Sequence, residues 1–254
     1  MDRGYYFDCI DTAITLYWRA LGSARNMQLY TGDFEYVKSV DGKGPERIFN
    51  INISSEKIAK QLDDIVNKIR GKEIPDSFLI TPNTKPANLV DLLVQRGFEV
   101  DTSGLCMAMD LCDLKSNKMS SDKIEVREVK DDKSLKEWVH IINTALFQSE
   151  IMSFEQFYDI YNLDNTRFYL GLFEGVPVSA CFTIYDGIFG DLDMVATLKN
   201  YRNKGLASLT IDRALRDLDD LGVKTVSLRA ETGGIELYKK IGFKEYCKRV
   251  SVSY

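Results

Sequence analysis

The sequence predicts an α/β chain of the α+β kind: a mixed, mostly antiparallel sheet flanked by helices and built twice in tandem. Three observations lead there. Residues 124–254 read as β–α–α–β–β–β–α–β–α–β, and two of their strand connections are tight turns, Glu174–Gly175 and Asp186–Gly187, of the kind that joins antiparallel neighbours. From Ile48 to Asp110 the chain reads as β–α–β–α–β–β, which parallels the closing part of that order. Between the two stretches residues 113–123 are almost wholly polar, the composition of a linker. The expected division is 1–112, a linker over 113–123, and 124–254.

Each element has a local reason. Asp11 to Leu21 carries a helical pattern, although the stretch up to Gly44 is otherwise hard to read. Ile48, Ile51 and Ile53 mark an extended segment, and Ile58, Leu62, Ile65, Val66 and Ile69 then recur as one helical face. Phe78 to Ile80 reads as a strand, Leu89, Leu92 and Leu93 as a helix begun near Pro86 and ended near Gly97, and Phe98–Val100 and Leu105–Asp110 as two strands. In the second half Ile124 and Val126 open a strand, and Leu135, Trp138, Val139, Ile142 and Leu146 share a helix face behind an Asp131 or Asp132 cap. Ser153 with Gln156 announces the next helix, whose Phe154, Phe157, Tyr158 and Tyr161 read as core. Phe168, Leu170 and Leu172, then Val178, Ala180, Phe182 and Ile184, alternate as a strand hairpin, and Ile188 to Ala196 follows as a third strand. Ala207, Ile211, Ala214, Leu215 and Leu218 line a helix ended by Gly222. Val226, Leu228 and Ala230 form a buried strand, Ile235 to Ile241 a short helix, and Phe243 to Tyr254 one or two last strands.

Composition removes several function classes. With 44 % hydrophobic residues in 254, the chain can bury a core for one large domain or two small ones. No apolar run reaches the ~18 residues of a membrane helix, and Met1 to Tyr5 lacks the order of a secretion signal, so a soluble, cytoplasmic protein is expected. Cys9, Cys106, Cys112, Cys181 and Cys247 are scattered without a C-x-x-C pair and read as reduced thiols, with no metal site. A net charge of −5 argues against nucleic acid and anionic membrane as partners. The single histidine, His140, falls on the polar side of its helix and leaves no material for a Ser–His–Asp triad. Nothing predicts the oligomeric state.

The stretch that carries chemistry is Asp191 to Ser208. A strand ending Met194–Val195–Ala196–Thr197 runs through a polar loop into Arg202–Asn203–Lys204–Gly205–Leu206–Ala207–Ser208, which opens a helix. Successive backbone N–H groups in such a loop, aided by the positive end of the helix dipole, can hold a pyrophosphate. Glycine at 205 permits close backbone approach, and Lys199, Arg202 and Lys204 add positive charge.

Here the sequence resembles the GNAT superfamily of N-acetyltransferases, whose acetyl-CoA loop reads Arg/Gln-x-x-Gly-x-Gly/Ala. Arg202, Gly205 and Ala207 fill the three fixed positions, Tyr201 precedes them, and Leu237–Tyr238–Lys239–Lys240–Ile241–Gly242–Phe243 resembles the family's closing leucine–tyrosine to glycine–phenylalanine signature. The resemblance covers residues 124–254, and the element order agrees. It implies acetyl-CoA as co-substrate and an amine acceptor. It places the pantetheine and acetyl carbonyl on the backbone of Met194 to Thr197, the diphosphate on Arg202 to Ser208, and the proton for the departing thiolate on Tyr238. Some members carry a base glutamate eleven residues before the motif arginine, where this chain has Asp191; Asp193 shares its face. Direct deprotonation by either aspartate and relay through water both stay open.

The chain departs from the family after its last buried strand. Glu231 stands where asparagine is common, and Gly233 and Gly234 loosen the start of the closing helix. Residues 76–110 look like a degenerate copy of the closing part of the same fold, with no coenzyme loop before it, so the first half is expected to lack coenzyme binding and to pack against the second. Rival readings are an acetyl-CoA-binding sensor or scaffold without turnover, and an acyltransferase with another acyl-CoA or another acceptor.

Overall fold

In the computed structural model, which describes residues 2–114 and 121–254, all the described strands join one sheet. The polar segment 113–123 therefore lies largely outside the described residues. The first half contributes α1 (Arg3–Ser23), β1 (Met27–Tyr30), β2 (Glu35–Ser39), β3 (Arg47–Phe49), α2 (Ile58–Arg70), β4 (Ser77–Ile80), α3 (Leu89–Val94) and β5 (Glu99–Asp110). The second contributes β6 (Ile124–Glu128), α4 (Asp132–Ile142), α5 (Phe154–Tyr161), β7 (Thr166–Phe173), β8 (Val176–Tyr185), β9 (Phe189–Thr197), α6 (Leu206–Asp220), β10 (Thr225–Ala230), α7 (Ile235–Ile241) and β11 (Lys244–Ser253). The order read from the sequence of the second half is reproduced element by element, with β11 as a single closing strand.

The sheet order is β1-β2-β3-β4-β11-β5-β10-β9-β8-β7-β6. The last strand of each half has crossed into the other. β11 lies between β4 and β5, both of the first half, while β5 lies between β10 and β11, both of the second. Sequence periodicity finds strands and carries no signal of partners this distant, so the exchange is visible only in the fold. β5 is also one strand where two were expected. Two register shifts keep the β5–β11 ladder continuous, one opposite Met107/Cys106, where β11 carries the extra residue, and one at Asp101–Gly104, where β5 does.

Helices cover both faces. On one, α1, α4 and α5 pack over a shared core that includes Ile10, Ile14, Trp18, Trp138, Phe157, Phe168 and Phe182. On the other, α2 and α3 cover the first half through Leu62, Ile65, Phe78 and Leu93, and α6 and α7 cover the second through Ile211, Leu215, Leu218 and Tyr238. The capping boxes hold: Asp131 accepts from the Ser134 amide at 2.7 Å, and Ser153 from that of Gln156 at 3.2 Å. Trp138 is fully buried and donates its indole N–H to the Cys181 carbonyl at 2.9 Å, fixing α4 on β8.

Helix α1 belongs by sequence to the first half but lies over strands of the second. The Tyr6 hydroxyl donates to Asp110 at 2.6 Å, the Thr225 hydroxyl donates to the same carboxylate at 2.7 Å, and the Tyr6 ring stacks on Tyr246 at 4.3 Å. At its other end the Arg25 guanidinium holds Asp159 of α5. The β1–β2 hairpin was missed in the sequence because its pattern is broken by polar residues. Glu35 is buried in β2, where Arg19 and Asn50 supply its hydrogen bonds.

Candidate active site

Strands β9 and β10 run parallel and pair only from Phe189–Asp191 to Thr225–Ser227. Beyond Asp191 they part: β9 continues on β8 to Thr197, and β10 continues on β5 to Ala230. The result is a crevice at the carboxyl ends of two parallel strands, the place where open α/β sheets bind ligands. A bulge sharpens the parting, since Met194 and Val195 stand opposite Cys181 alone and Met194 is left-handed at φ 51°. Ala196 and Thr197 are held from the β8 side through Ser179, and the Met194 amide donates to the Asp193 carboxylate at 2.6 Å.

The crevice leads into the predicted loop. After a single turn over Lys199–Tyr201, left-handed Asn203 (φ 62°) and Gly205 (φ 86°) aim the chain into α6. The backbone N–H groups of Asn203 to Ser208 donate to no protein acceptor among the described residues, and no side chain caps α6. This is a row of orphan donors at a helix mouth. The start of α6 sits hard against β7, because a Cβ on Gly171 would collide with the Thr210 hydroxyl and stand 3.6 Å from the Leu206 side chain. Arg202 braces the loop: its Nε donates to the Thr197 carbonyl at 3.0 Å and its terminal N–H to that of Ala145 at 3.4 Å. Lys204 lies over the Phe173 and Tyr201 rings at 4.7 and 5.3 Å. Arg202, Asn203 and Lys204 are exposed, Leu206 is buried, and Gly205, Ala207 and Ser208 are half-buried.

The two predicted aspartates meet Arg229, which no sequence motif marks. Arg229 of β10 bonds both, Asp191 at 2.6 and 3.3 Å and Asp193 more closely still. Asp191 is 0 % exposed, whereas the Asp193 side chain is 24 % exposed. Burial lifts the Asp191 carboxyl to about 6, against the pull of Arg229. Burial disfavours the Arg229 cation, yet the two carboxylates outweigh it and hold the guanidinium above its ordinary value. Tyr17 of α1 lies under the guanidinium at 5.3 Å and packs edge-on to Phe182. An arginine alternating into a strand that otherwise reads as buried, with two aspartates on another strand, is the signal that could have revealed this network.

Tyr238 packs its ring against Phe243 and is 9 % exposed. Gly234 makes room for it, since a Cβ there would come within 2.8 Å of the ring. Burial, then the charge of Asp193, pushes the phenol well above its ordinary pKa and keeps it protonated. Glu231 bonds Arg249 at 2.5 Å. His140 is exposed, and Cys181 is buried with its thiol raised by desolvation. Phe157 is core, and Phe154, Tyr158 and Tyr161 pack partly buried against it. Among the described residues no cluster of His, Cys, Asp and Glu could hold a metal.

The first half contains a counterpart crevice. β3 and β4 are parallel, pair at Ile48 and Phe78, and part beside left-handed Asn50 (φ 46°). Here the gap is stapled by backbone. Lys85 donates to Ile51 at 2.9 Å, Ile53 donates to Lys85 at 3.1 Å, and at the start of α2 both Lys57 and Ile58 donate to Ser54. What remains is a polar cavity of about 550 Å³ lined by Asp8, Asp11, Asn50, Thr81 and their neighbours. Leu93 holds the place that Tyr238 holds in the second half: Phe98 donates to the Leu93 carbonyl as Phe243 does to that of Tyr238.

Residues 134–243 match the acetyltransferase (GNAT) family. No curated protein sequence matches the chain. In fold it is similar to a GCN5-related N-acetyltransferase from Kribbella flavida (TM-score 0.72, 17 % identity, 95 % of this chain and 94 % of that one). It is also similar to a tandem GNAT protein from the clavulanic acid biosynthesis pathway (0.69, 12 %, 99 % and 94 %) and to a GCN5-related N-acetyltransferase from Sphaerobacter thermophilus (0.67, 15 %, 97 % and 91 %). At these identities the likeness is one of fold.

Proposed function

We propose that the chain is an N-acetyltransferase which moves an acetyl group from acetyl-CoA to a primary amine of a small molecule or peptide, directly, in a ternary complex; the match of residues 134–243 to the acetyltransferase (GNAT) family supports this reading. The observation that carries this reading is the parting of β9 from β10 into a row of uncommitted amides at the mouth of α6. Acetyl-CoA supplies an activated thioester; the chain supplies the grip and the proton handling. The amides from Asn203 to Ser208 hold the diphosphate, with Gly205 allowing close approach and Arg202 bracing the loop. The open edge of β9, Val195 to Thr197, takes the pantetheine and the acetyl carbonyl, and the Met194 amide joins it when it leaves Asp193.

Tyr238 gives its proton to the departing thiolate, a role suited to a phenol held protonated. Asp193 reaches the crevice and takes the proton of the amine, directly or through water. Asp191, closed off behind Arg229, acts on Asp193 through that guanidinium and does not touch the acceptor. The division at 113–123, a cytoplasmic setting, and a first half that binds no coenzyme belong to the same proposal. Calorimetry with acetyl-CoA, followed by thiol release with a panel of amines, tests it. Binding with acceptor-dependent thiol is expected, whereas binding without any thiol identifies a sensor. Gly205→Glu places a side chain and a charge among the phosphate-binding amides and should weaken coenzyme binding by about a hundredfold or more; unaltered affinity removes the loop assignment.

A further inference from the structure

Arg47 on β3 and Arg249 on β11 come from opposite halves and point to the α1 face of the sheet. Strand alternation fixes this, since Ile48, Val250 and Val252 point into the α2–α3 core on the other face. Along α1, adjacent rings each carry a guanidinium: Tyr17 that of Arg229 at 5.3 Å, and Trp18 that of Arg47 at 5.7 Å. Arg249 lies across Gly104, where a Cβ would stand 3.0 Å from its Nε and 3.2 Å from the Ala230 carbonyl oxygen. This places it at the end of β10, beside the mouth of the crevice. Register orders the three, with Arg229 level with Cys106, Arg249 level with Gly104, and Arg47 farther along at Ser77 and Ser253.

Their charges are met unequally. Arg229 has two carboxylates at hand. Arg249 has Glu231 at 2.5 Å and Asp101 at 3.7 Å, both more than half exposed to water. Arg47 has no carboxylate partner among the described residues and donates to the Ser77 hydroxyl. The Nε atoms of both Arg47 and Arg249 are buried without an acceptor. Buried donors of a cation are costly to leave unmet, and two planar guanidinium forks suit the paired oxygens of a carboxylate or phosphate.

We propose that Arg47 and Arg249 form an anion subsite on the acceptor side of the crevice, so that the amine substrate carries a carboxylate or phosphate group. The proposal rests on the acetyl-transfer reading above. It gives the first half a task in recognition, because β3 supplies one of the two guanidiniums.

Titration of the full chain with succinate and with inorganic phosphate, without coenzyme, reads the subsite alone. One of these anions should bind, and bind about tenfold or more weakly to Arg47→Gln and to Arg249→Gln. Failure of both anions to bind, or equal binding by the variants, overturns the proposal. Arg47→Lys, which keeps the charge and loses the fork, decides the matter if the glutamine variants do not fold, and weaker binding is expected. With acetyl-CoA, thiol release is compared for glycylglycine against glycylglycinamide, and for 2-aminoethyl phosphate against 2-aminoethanol. The anionic member of one pair should be preferred about tenfold or more, through KM, with the preference lost in Arg47→Gln. Equal rates for charged and neutral members overturn it. If acetyl-CoA does not bind and no amine yields thiol, the acetyl-transfer reading fails separately, and the anion titration still decides the subsite.

Discussion

The crevice of the second half and its counterpart in the first share topology and differ in where their backbone donors go. In both, a parallel strand pair opens beside a left-handed residue, Met194 in one and Asn50 in the other. In the first half the Thr81–Lys85 segment crosses the gap and uses up its hydrogen bonds, and the Ser54 carbonyl takes the amides at the start of α2. In the second half the amides around Gly205 stay free. Leu93 and Tyr238 complete the contrast, one apolar and the other with a hydroxyl to give. On the proposed function, what separates the two crevices is a handful of backbone donors and one phenol, set on the same sheet topology.

The largest expected effect separates the halves outright. A fragment covering 121–254 loses β5, which fills the sheet between β10 and β11, together with α1. It should be insoluble or molten, seen as lost near-ultraviolet dichroism. A fragment that folds and turns over acceptor breaks the idea that the two crevices share one structure. Next comes the buried charge found in the second crevice. Arg229→Met leaves Asp191 buried and unpaired and should cost about 3–5 kcal/mol in denaturant unfolding. In the counterpart crevice Thr81→Val removes a hydroxyl that bonds Asp11 and should cost about 1 kcal/mol. Similar losses at the two sites would erase the contrast.

Tyr238→Phe should lower turnover by about ten- to a hundredfold with coenzyme affinity kept, making that site resemble its apolar counterpart; equal rates would make the tyrosine structural. The smallest effect is one of pH. Because the folded chain holds the Asp191 proton up to about pH 6 and the unfolded chain releases it near 4, its contribution to stability is present at the acid end. That contribution is lost as pH rises through 6. Between those limits the parent should lose stability relative to Asp191→Asn, by less than about 1.4 kcal/mol per pH unit. Parallel curves would place the titration elsewhere.

What the sequence disclosed was local. Alternating and helical spacings found the elements of residues 124–254 in order, and Arg202, Gly205 and Ala207 marked the loop at the mouth of α6 because its turn is built from consecutive residues. Arg229 escaped because it is separated in sequence from the aspartates it bonds. So did Tyr17, whose helix was assigned to the half it is encoded in rather than the half it covers. The β1–β2 hairpin escaped through Glu35, whose burial is possible only once Arg19 and Asn50 are in place.

The crossed strands carry a consequence for biosynthesis. As the chain leaves the ribosome, β4 has an unfilled edge that waits for β11, which follows the whole of the second half in the chain. Closure of the first half therefore waits until the second half has been made, a step of high contact order. During that interval two nascent chains could trade β11 and form an intertwined dimer, which dilute refolding followed by light scattering would detect.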